Sequence, residues 1–262
     1  MKVHDIVSYL FTLSPAYMKE EWDNIGLICG HGDAEVHHIL VALDASTAVL
    51  SEAREKGCDM VVSHHPMIFG SFRQVNESSV TGRHILFAAE NRIACVNMHT
   101  NLDCVADGVN DILAERLGLK NISLANSRGT DETGRGYGYV RFGDVEETTL
   151  CQFASFVKQQ LNCRGVRYAD GGKPVRKVAV GGGACSDEIP AVLAAGCDTF
   201  VTADLKYHQF SEAMDLGLNL IDAGHFQTEV PVCEYLARKL KERFPELTVE
   251  ISRTQDDAIR FC

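Results

Sequence analysis

GCDMVVSHHP, residues 57–66, is the stretch on which the reading of the fold turns. A Gly-Cys-Asp lead opens a short apolar run that stops abruptly at two adjacent imidazoles and a proline. A run of this length and composition, set between helical segments, reads as a buried strand. Successive strand residues face opposite sides, so His64 and His65 can converge only where the strand is ending. Pro66 supports an ending there, because it biases His65 to extended or turn geometry and removes a ladder donor. The histidine pair then has two readings: a polar strand terminus, the ordinary case for an isolated pair, or the first half of a metal site.

The same pattern recurs along the chain. Apolar runs with polar or glycine-rich exits occur in HHILVALDAS (37–46), IACVNMHTNLD (93–103), RKVAVGGGACSD (176–187), CDTFVTADLKYH (197–208) and LNLIDAGHFQTE (218–229). Each is followed by helical sequence, which predicts an α/β fold with mixed, largely parallel sheets. In such sheets ligands gather beyond the carboxyl ends of the strands. Nearly every His, Asp and Glu cluster of this chain falls there.

An internal duplication is the second regularity. GCDMVVSHH (57–65) resembles GCDTFVTAD (196–204), and each follows an alanine-rich helical stretch. A Phe-led helix comes next in both places, then a strand ending in His99-Thr-Asn-Leu-Asp103 or His225-Phe-Gln-Thr-Glu229. Two similar α/β lobes are therefore expected, residues 1–125 and 126–262. The stretch 123–144 is the expected crossover, with a strand around Tyr137–Phe142. At the N-terminus, Ile6, Val7, Leu10 and Phe11 have helical spacing, which predicts a first amphipathic helix and not a signal peptide.

The chain has 262 residues, 45% hydrophobic and 23% charged, as expected of a soluble globular protein. No apolar run approaches the ~18–20 residues of a membrane span. Ten cysteines are scattered without a C-x-x-C pair, which points to reduced thiols and a cytoplasmic protein. A net charge of −11 disfavours sequence-independent DNA binding, and no helix-turn-helix pattern is present. A negative protein acting on anionic substrates needs cations at its site, a first hint of metals.

The clusters supply the donors for such ions. Imidazole nitrogen together with carboxylate oxygen suits divalent transition metals, and two-metal sites combine bridging carboxylates with terminal histidines. His64, His65, Asp103, His225 and Glu229 stand at equivalent strand ends, with His99, Asp204 and His208 close in sequence. His225 and Glu229 are four apart and share a face if helical; with Pro231 in the first turn of the final helix, the pair is expected to straddle a helix start. Each piece alone is more often structural. Repeated across two lobes at one rim, they favour a metal site. GGGACSD (181–187) is read as a tight turn in preference to an anion nest, since it lacks the Walker Lys-Ser/Thr. Trp22 either walls a pocket or, the preferred reading, is buried in packing. No cysteine stands in a context that marks a nucleophile.

WDNIGL (22–27), VSHHP (62–66), HTNLD (99–103), GGGA (181–184), DLKYH (204–208) and DAGHFQTE (222–229) together resemble the dinuclear-metal family called GTP cyclohydrolase type 2-like, or Nif-three-like. The resemblance covers essentially the whole chain. It implies two related lobes with a di-metal site in the cleft between them, and homohexameric rings with the metals facing an inner cavity. Carried over by motif, His64, His65, Asp103, His225 and Glu229 are the ligands, with Asp103 and Glu229 bridging. Some relatives insert a further domain between the lobes, for which this chain is too short.

The expected function is a dinuclear metal-dependent hydrolase, GTP cyclohydrolase-like, acting on a nucleotide or a related small anionic substrate. Two divalent ions per chain (Zn, Mn, Fe, Co or Ni) are the implied cofactors, and His99 and His208 are the candidate proton carriers. The alternative is a non-catalytic metal-binding or regulatory protein. Saturated metal coordination would favour the second, an open position the first.

Overall fold

The computed structural model describes Met1–Cys262 and divides the chain into two compact units. The first comprises Met1–Leu102 and Val232–Asp256, the second Asp103–Pro231 and Asp257–Cys262. The sequence-based lobes, 1–125 and 126–262, are drawn differently: here the first break falls at 102/103, and the chain returns to its first unit after residue 231.

The chain opens with helix α1 (Val3–Leu13), whose Val3, Ile6 and Leu10 are buried as the spacing predicts. There follow β1 (Gly26–Cys29), β2 (His38–Ala42), α2 (Thr47–Glu55), β3 (Met60–Ser63), α3 (Val80–Glu90), β4 (Ala94–Asn97) and the short α4 (Thr100–Cys104). The second unit carries α5 (Val109–Arg116), β5 (Lys120–Leu124), the small hairpin β6 (Gly129–Thr130) and β7 (Gly136–Tyr137), and β8 (Arg141–Thr148). It continues through α6 (Leu150–Gln160), β9 (Arg167–Ala169), β10 (Val175–Val180), α7 (Ile189–Ala194) and β11 (Thr199–Thr202). After α8 (Tyr207–Asp215), β12 (Asn219–Asp222) and α9 (His225–Glu229), the chain re-enters the first unit with α10 (Val232–Arg243) and β13 (Thr248–Ile251).

In the first unit the sheet order is β1-β4-β3-β2-β13, with the last four strands parallel and β1 antiparallel at one edge. All residues of β3 and β4 are buried, which is why their sequences read as continuous apolar runs. Leu40, Ala42, Val61 and Cys95 pack on one side against Val49 and Ala53 of α2 and Ala88 of α3. Helix α10 packs against β13 and β2. Glu52 of α2 is buried and fixes the returning chain by accepting hydrogen bonds from Ser252 Oγ (2.6 Å), Arg253 N (3.0 Å), Thr254 N (3.1 Å) and Thr254 Oγ1 (2.9 Å).

The second unit holds a sheet of order β5-β8-β10-β11-β12-β9, in which β10, β11 and β12 are parallel. The strand expected near 137–142 lies slightly later, as β8. Alternation decides the two faces. Val178, Val180, Val201 and Ile221 pack with Leu113, Phe153 and Val157, whereas Ala179, Phe200 and Leu220 pack with Val192 and Ala213. Helices cover both sides, and the six sequence-predicted strands are β2, β3, β4, β10, β11 and β12. No helix is long and apolar enough to cross a membrane.

Candidate metal centre

In the first unit the polar exits of β2, β3 and β4 converge. His64 N donates to the Leu43 carbonyl (3.1 Å) and His65 N to the same carbonyl (2.9 Å), so the backbone leaving β3 is pinned to the backbone leaving β2. The side chains of His64, His65 and His99 come together, each offering one ligand atom, with these atoms within 4.8 Å of one another. Ring centroids stand 5.0 Å apart for His64 and His65, 5.3 Å for His64 and His99, and 5.6 Å for His65 and His99.

Each imidazole is oriented by an acceptor on Nδ1. For His64 it is the Met98 carbonyl (2.8 Å), for His65 Asp44 Oδ1 (2.8 Å) and for His99 Asp23 Oδ1 (2.8 Å). Carbonyl and carboxylate oxygens accept only, so Nδ1 carries the proton and Nε2 of the neutral ring presents its lone pair. This is the tautomer and the outer support that metal-ligating histidines use. Asp23 is buried and also accepts from Thr100 N (3.0 Å). Burial works to raise its carboxyl, but the hydrogen bonds from His99 and Thr100 outweigh that and hold it at about 2. Asp23 is therefore an anion throughout the ordinary pH range.

The second unit gathers the other candidates. Asp103 lies on α4, and His225 and Glu229 form the two ends of α9; this pair occupies its own short helix and does not straddle the start of α10. His225 Nδ1 meets Asp204 Oδ2 at 2.7 Å, repeating the carboxylate–imidazole arrangement. Asp204 sits just past β11 with φ +56°, a left-handed geometry that Asp tolerates better than most residues. His225 Nε2 and Glu229 Oε2 are 3.0 Å apart. Two ligands each ~2.1 Å from one ion at a right angle are separated by about that much. Asp103 and Glu229 carboxylate oxygens lie within 4.8 Å.

The profile of the Duf34/NIF3 (NGG1p interacting factor 3) family matches residues 1–258. The chain belongs to that family. A Clostridium perfringens relative, named GTP cyclohydrolase 1 type 2 homolog, is 32% identical over 100% of both chains. One of the same name from Streptomyces coelicolor is 35% identical, covering 98% of this chain and 93% of the relative. Among solved structures, a Bacillus cereus protein related to NIF3 superposes with a TM-score of 0.91 at 26% identity, covering 100% of this chain and 99% of that one. A Staphylococcus aureus hypothetical protein gives 0.93 at 30% identity with the same coverage.

The GGGA segment has a definite task in this Duf34/NIF3 chain. Gly182 N donates to Asn110 Oδ1 (2.7 Å) and Gly183 N to Thr228 Oγ1 (3.0 Å), so neither amide serves an anion nest. Asn110 Nδ2 in turn donates to the Asp103 carbonyl (3.0 Å), linking the Asp103 segment to the glycine turn. Gly183 has φ +59°, and a Cβ there would stand 2.1 Å from Glu229 Oε1 and 3.1 Å from His225 Nε2. The turn is a cradle shaped to leave room for those donors, and the imidazole–carboxylate set fits a divalent transition ion. Buried Arg141 secures the chain just beyond Asp103, donating to Asp111 Oδ1 (2.9 Å) and to the carbonyls of Cys104 (3.2 Å) and Val105 (3.1 Å).

His99 joins the imidazole cluster, whereas His208 is exposed on α8 and belongs to none of the metal-competent groups. Trp22, expected to be buried, is 62% exposed, because its neighbour Asp23 takes the interior position. The sequence reading overlooked Asp23 and Asp44. The available signal was a carboxylate two residues past strand β2 for Asp44, and for Asp23 only its place in the WDNIGL turn.

Proposed function

We propose that this protein is a dinuclear metal-dependent hydrolase acting on a nucleotide or a related small anionic substrate. One observation carries the reading: four histidines, His64, His65, His99 and His225, each have Nδ1 engaged by an acceptor, the preparation that metal ligation through Nε2 requires. His64, His65 and His225 would act as terminal ligands and Asp103 and Glu229 as bridging carboxylates of two divalent ions. Such ions supply Lewis acidity and make water a usable nucleophile near neutral pH. Asp44 and Asp204 hold His65 and His225 in register, and the anionic Asp23 equips His99 to accept and return a proton during turnover. The naming of relatives as GTP cyclohydrolase 1 type 2 homologs supports a nucleotide as substrate. Ten free cysteines support a reducing, cytoplasmic setting. The homohexameric ring implied by the family motifs is part of the proposal, with sedimentation velocity as its check.

A second reading, a metal-binding protein without turnover, is favoured by the closeness of His99 to His64 and His65. If all three ligate, the position needed for water or substrate closes. The deciding experiment is a turnover screen of metal-loaded protein against nucleotides, phosphoesters and cyclic amides, with Asp103→Ala as control. Activity lost in the variant supports the hydrolase. Uniform inactivity of protein shown to carry two ions per chain supports the binding reading, and absence of metal after reconstitution refutes both.

A further inference from the structure

We propose that Trp22 and Phe69 are the base-recognition element of the site, holding the flat heteroaromatic ring of the substrate; the inference rests on the nucleotide reading above. Both rings are large, apolar and exposed, 62% for Trp22 and 60% for Phe69. Both touch the same imidazole: ring centroids lie 6.0 Å from His99 for Trp22 and 5.7 Å for Phe69. Interplanar angles of 72° and 88° mean that neither ring is stacked on His99.

Two exposed aromatic side chains beside one candidate proton carrier would be unremarkable if they dangled. They are instead held from below. Asp23, buried next to Trp22, is fixed by His99 and Thr100. Asn24 Nδ2 donates to the Ile68 carbonyl (3.2 Å), tying the Phe69 segment to the Trp22 turn, and Asn97 Nδ2 at the end of β4 donates to the Asn24 carbonyl (2.9 Å). The protein thus spends ordered backbone and two polar side chains on keeping apolar faces in water next to the imidazole cluster. Aromatic side chains held this way bind planar rings with little further ordering. The chemistry selected is a flat π-face and not an anion, since the negative faces of these rings repel phosphate, which metal ions would meet instead. A purine or pyrimidine base is the occupant that satisfies both requirements within one nucleotide.

Trp22 is the sole tryptophan, so its fluorescence reports this site directly. Metal-reconstituted protein is titrated with guanosine monophosphate, adenosine monophosphate and ribose 5-phosphate, following fluorescence and heat, and the calorimetry is repeated with Trp22→Leu and Phe69→Leu. Stacking on one aromatic ring is worth ~1–3 kcal/mol per base, so each variant is expected to weaken nucleotide binding at least about fivefold while ribose 5-phosphate binding and bound metal stay unchanged. Nucleotide affinity equal in wild type and variants overturns the assignment but leaves the nucleotide reading standing. Ribose 5-phosphate binding as tightly as the nucleotides does the same. No nucleotide binding by metal-loaded wild type overturns both. A changed sedimentation coefficient in the variants shows that a second copy of the chain covers the pair, and also overturns the assignment.

Discussion

Replacing Gly183 by Ala adds one methyl group and removes no ligand, yet should disable metal binding in the second unit. The new Cβ would stand 2.1 Å from Glu229 Oε1. Relief to ordinary contact at about 3.3 Å requires the carboxylate or the turn to move by roughly 1 Å, whereas ligand distances tolerate only about ±0.2 Å. Thr228 Oγ1 and the Gly183 carbonyl, which accepts from Thr202 Oγ1 (3.0 Å) and Ala203 N (2.9 Å), hold the turn in place. Glu229 is therefore the group that shifts. The affinity loss should be at least the ~10–100-fold seen when outer support of a ligand is removed. Holding φ at +59° also costs a non-glycine residue about 1–2 kcal/mol. Gly172→Ala separates the two effects, because Gly172 has φ +75° and nothing within 4 Å of its would-be Cβ. Both variants should lose similar folding stability in chemical denaturation, but only Gly183→Ala should lose metal by calorimetry and elemental analysis. Wild-type metal binding in Gly183→Ala, or equal metal loss in Gly172→Ala, would refute the cradle.

Asp204→Asn keeps a residue that tolerates the left-handed backbone but removes the carboxylate charge that faces His225 Nδ1; metal affinity should fall ~10–100-fold with stability nearly unchanged, and unchanged affinity would exclude a supporting role. Asn110→Ala should destabilise the protein by about 2–4 kcal/mol, because Gly182 N and the Asp103 carbonyl both lose a buried partner, and denaturant midpoints measure it. Glu52→Gln tests pH linkage in the first unit. Burial would raise that carboxyl, but hydrogen bonds from Ser252, Arg253, Lys56 and Thr254 take it from 4.5 to about 2. A depressed folded-state value means the stabilisation is complete above pH 4.5 and is lost as pH falls towards 2. Wild type should therefore lose stability more steeply than Glu52→Gln across that window, and parallel pH profiles would disprove the linkage.

Much of the parallel scaffold was legible because buried strands flanked by helices cannot disguise themselves. The runs that became β3 and β11 are apolar without alternation, and their polar exits marked where donors gather. His64 and His65 were findable as neighbours at a strand end, and His225 and Glu229 by helical spacing. The supporting carboxylates were less visible. Asp23 reaches His99 across 76 residues and Asp44 reaches His65 across 21, and no periodicity encodes such partnerships. Trp22 misled because hydrophobicity alone argues for the interior; the buried Asp23 beside it reverses that choice for reasons set by His99. The lobe boundary was hidden for a similar reason, since the pairing of β13 with β2 depends on a return of the chain that local sequence does not announce.

That return has a consequence for biosynthesis. His38 and Thr248 are register partners, so the first sheet cannot be completed until the last tenth of the chain has emerged from the ribosome. At about 5–20 residues per second, roughly 10–40 s separate the synthesis of the two strands. Throughout that interval β2, a fully apolar strand but for His38, offers an open edge on the side that β13 later takes. Premature termination near residue 231 would remove β13 and leave that edge of β2 without its strand partner.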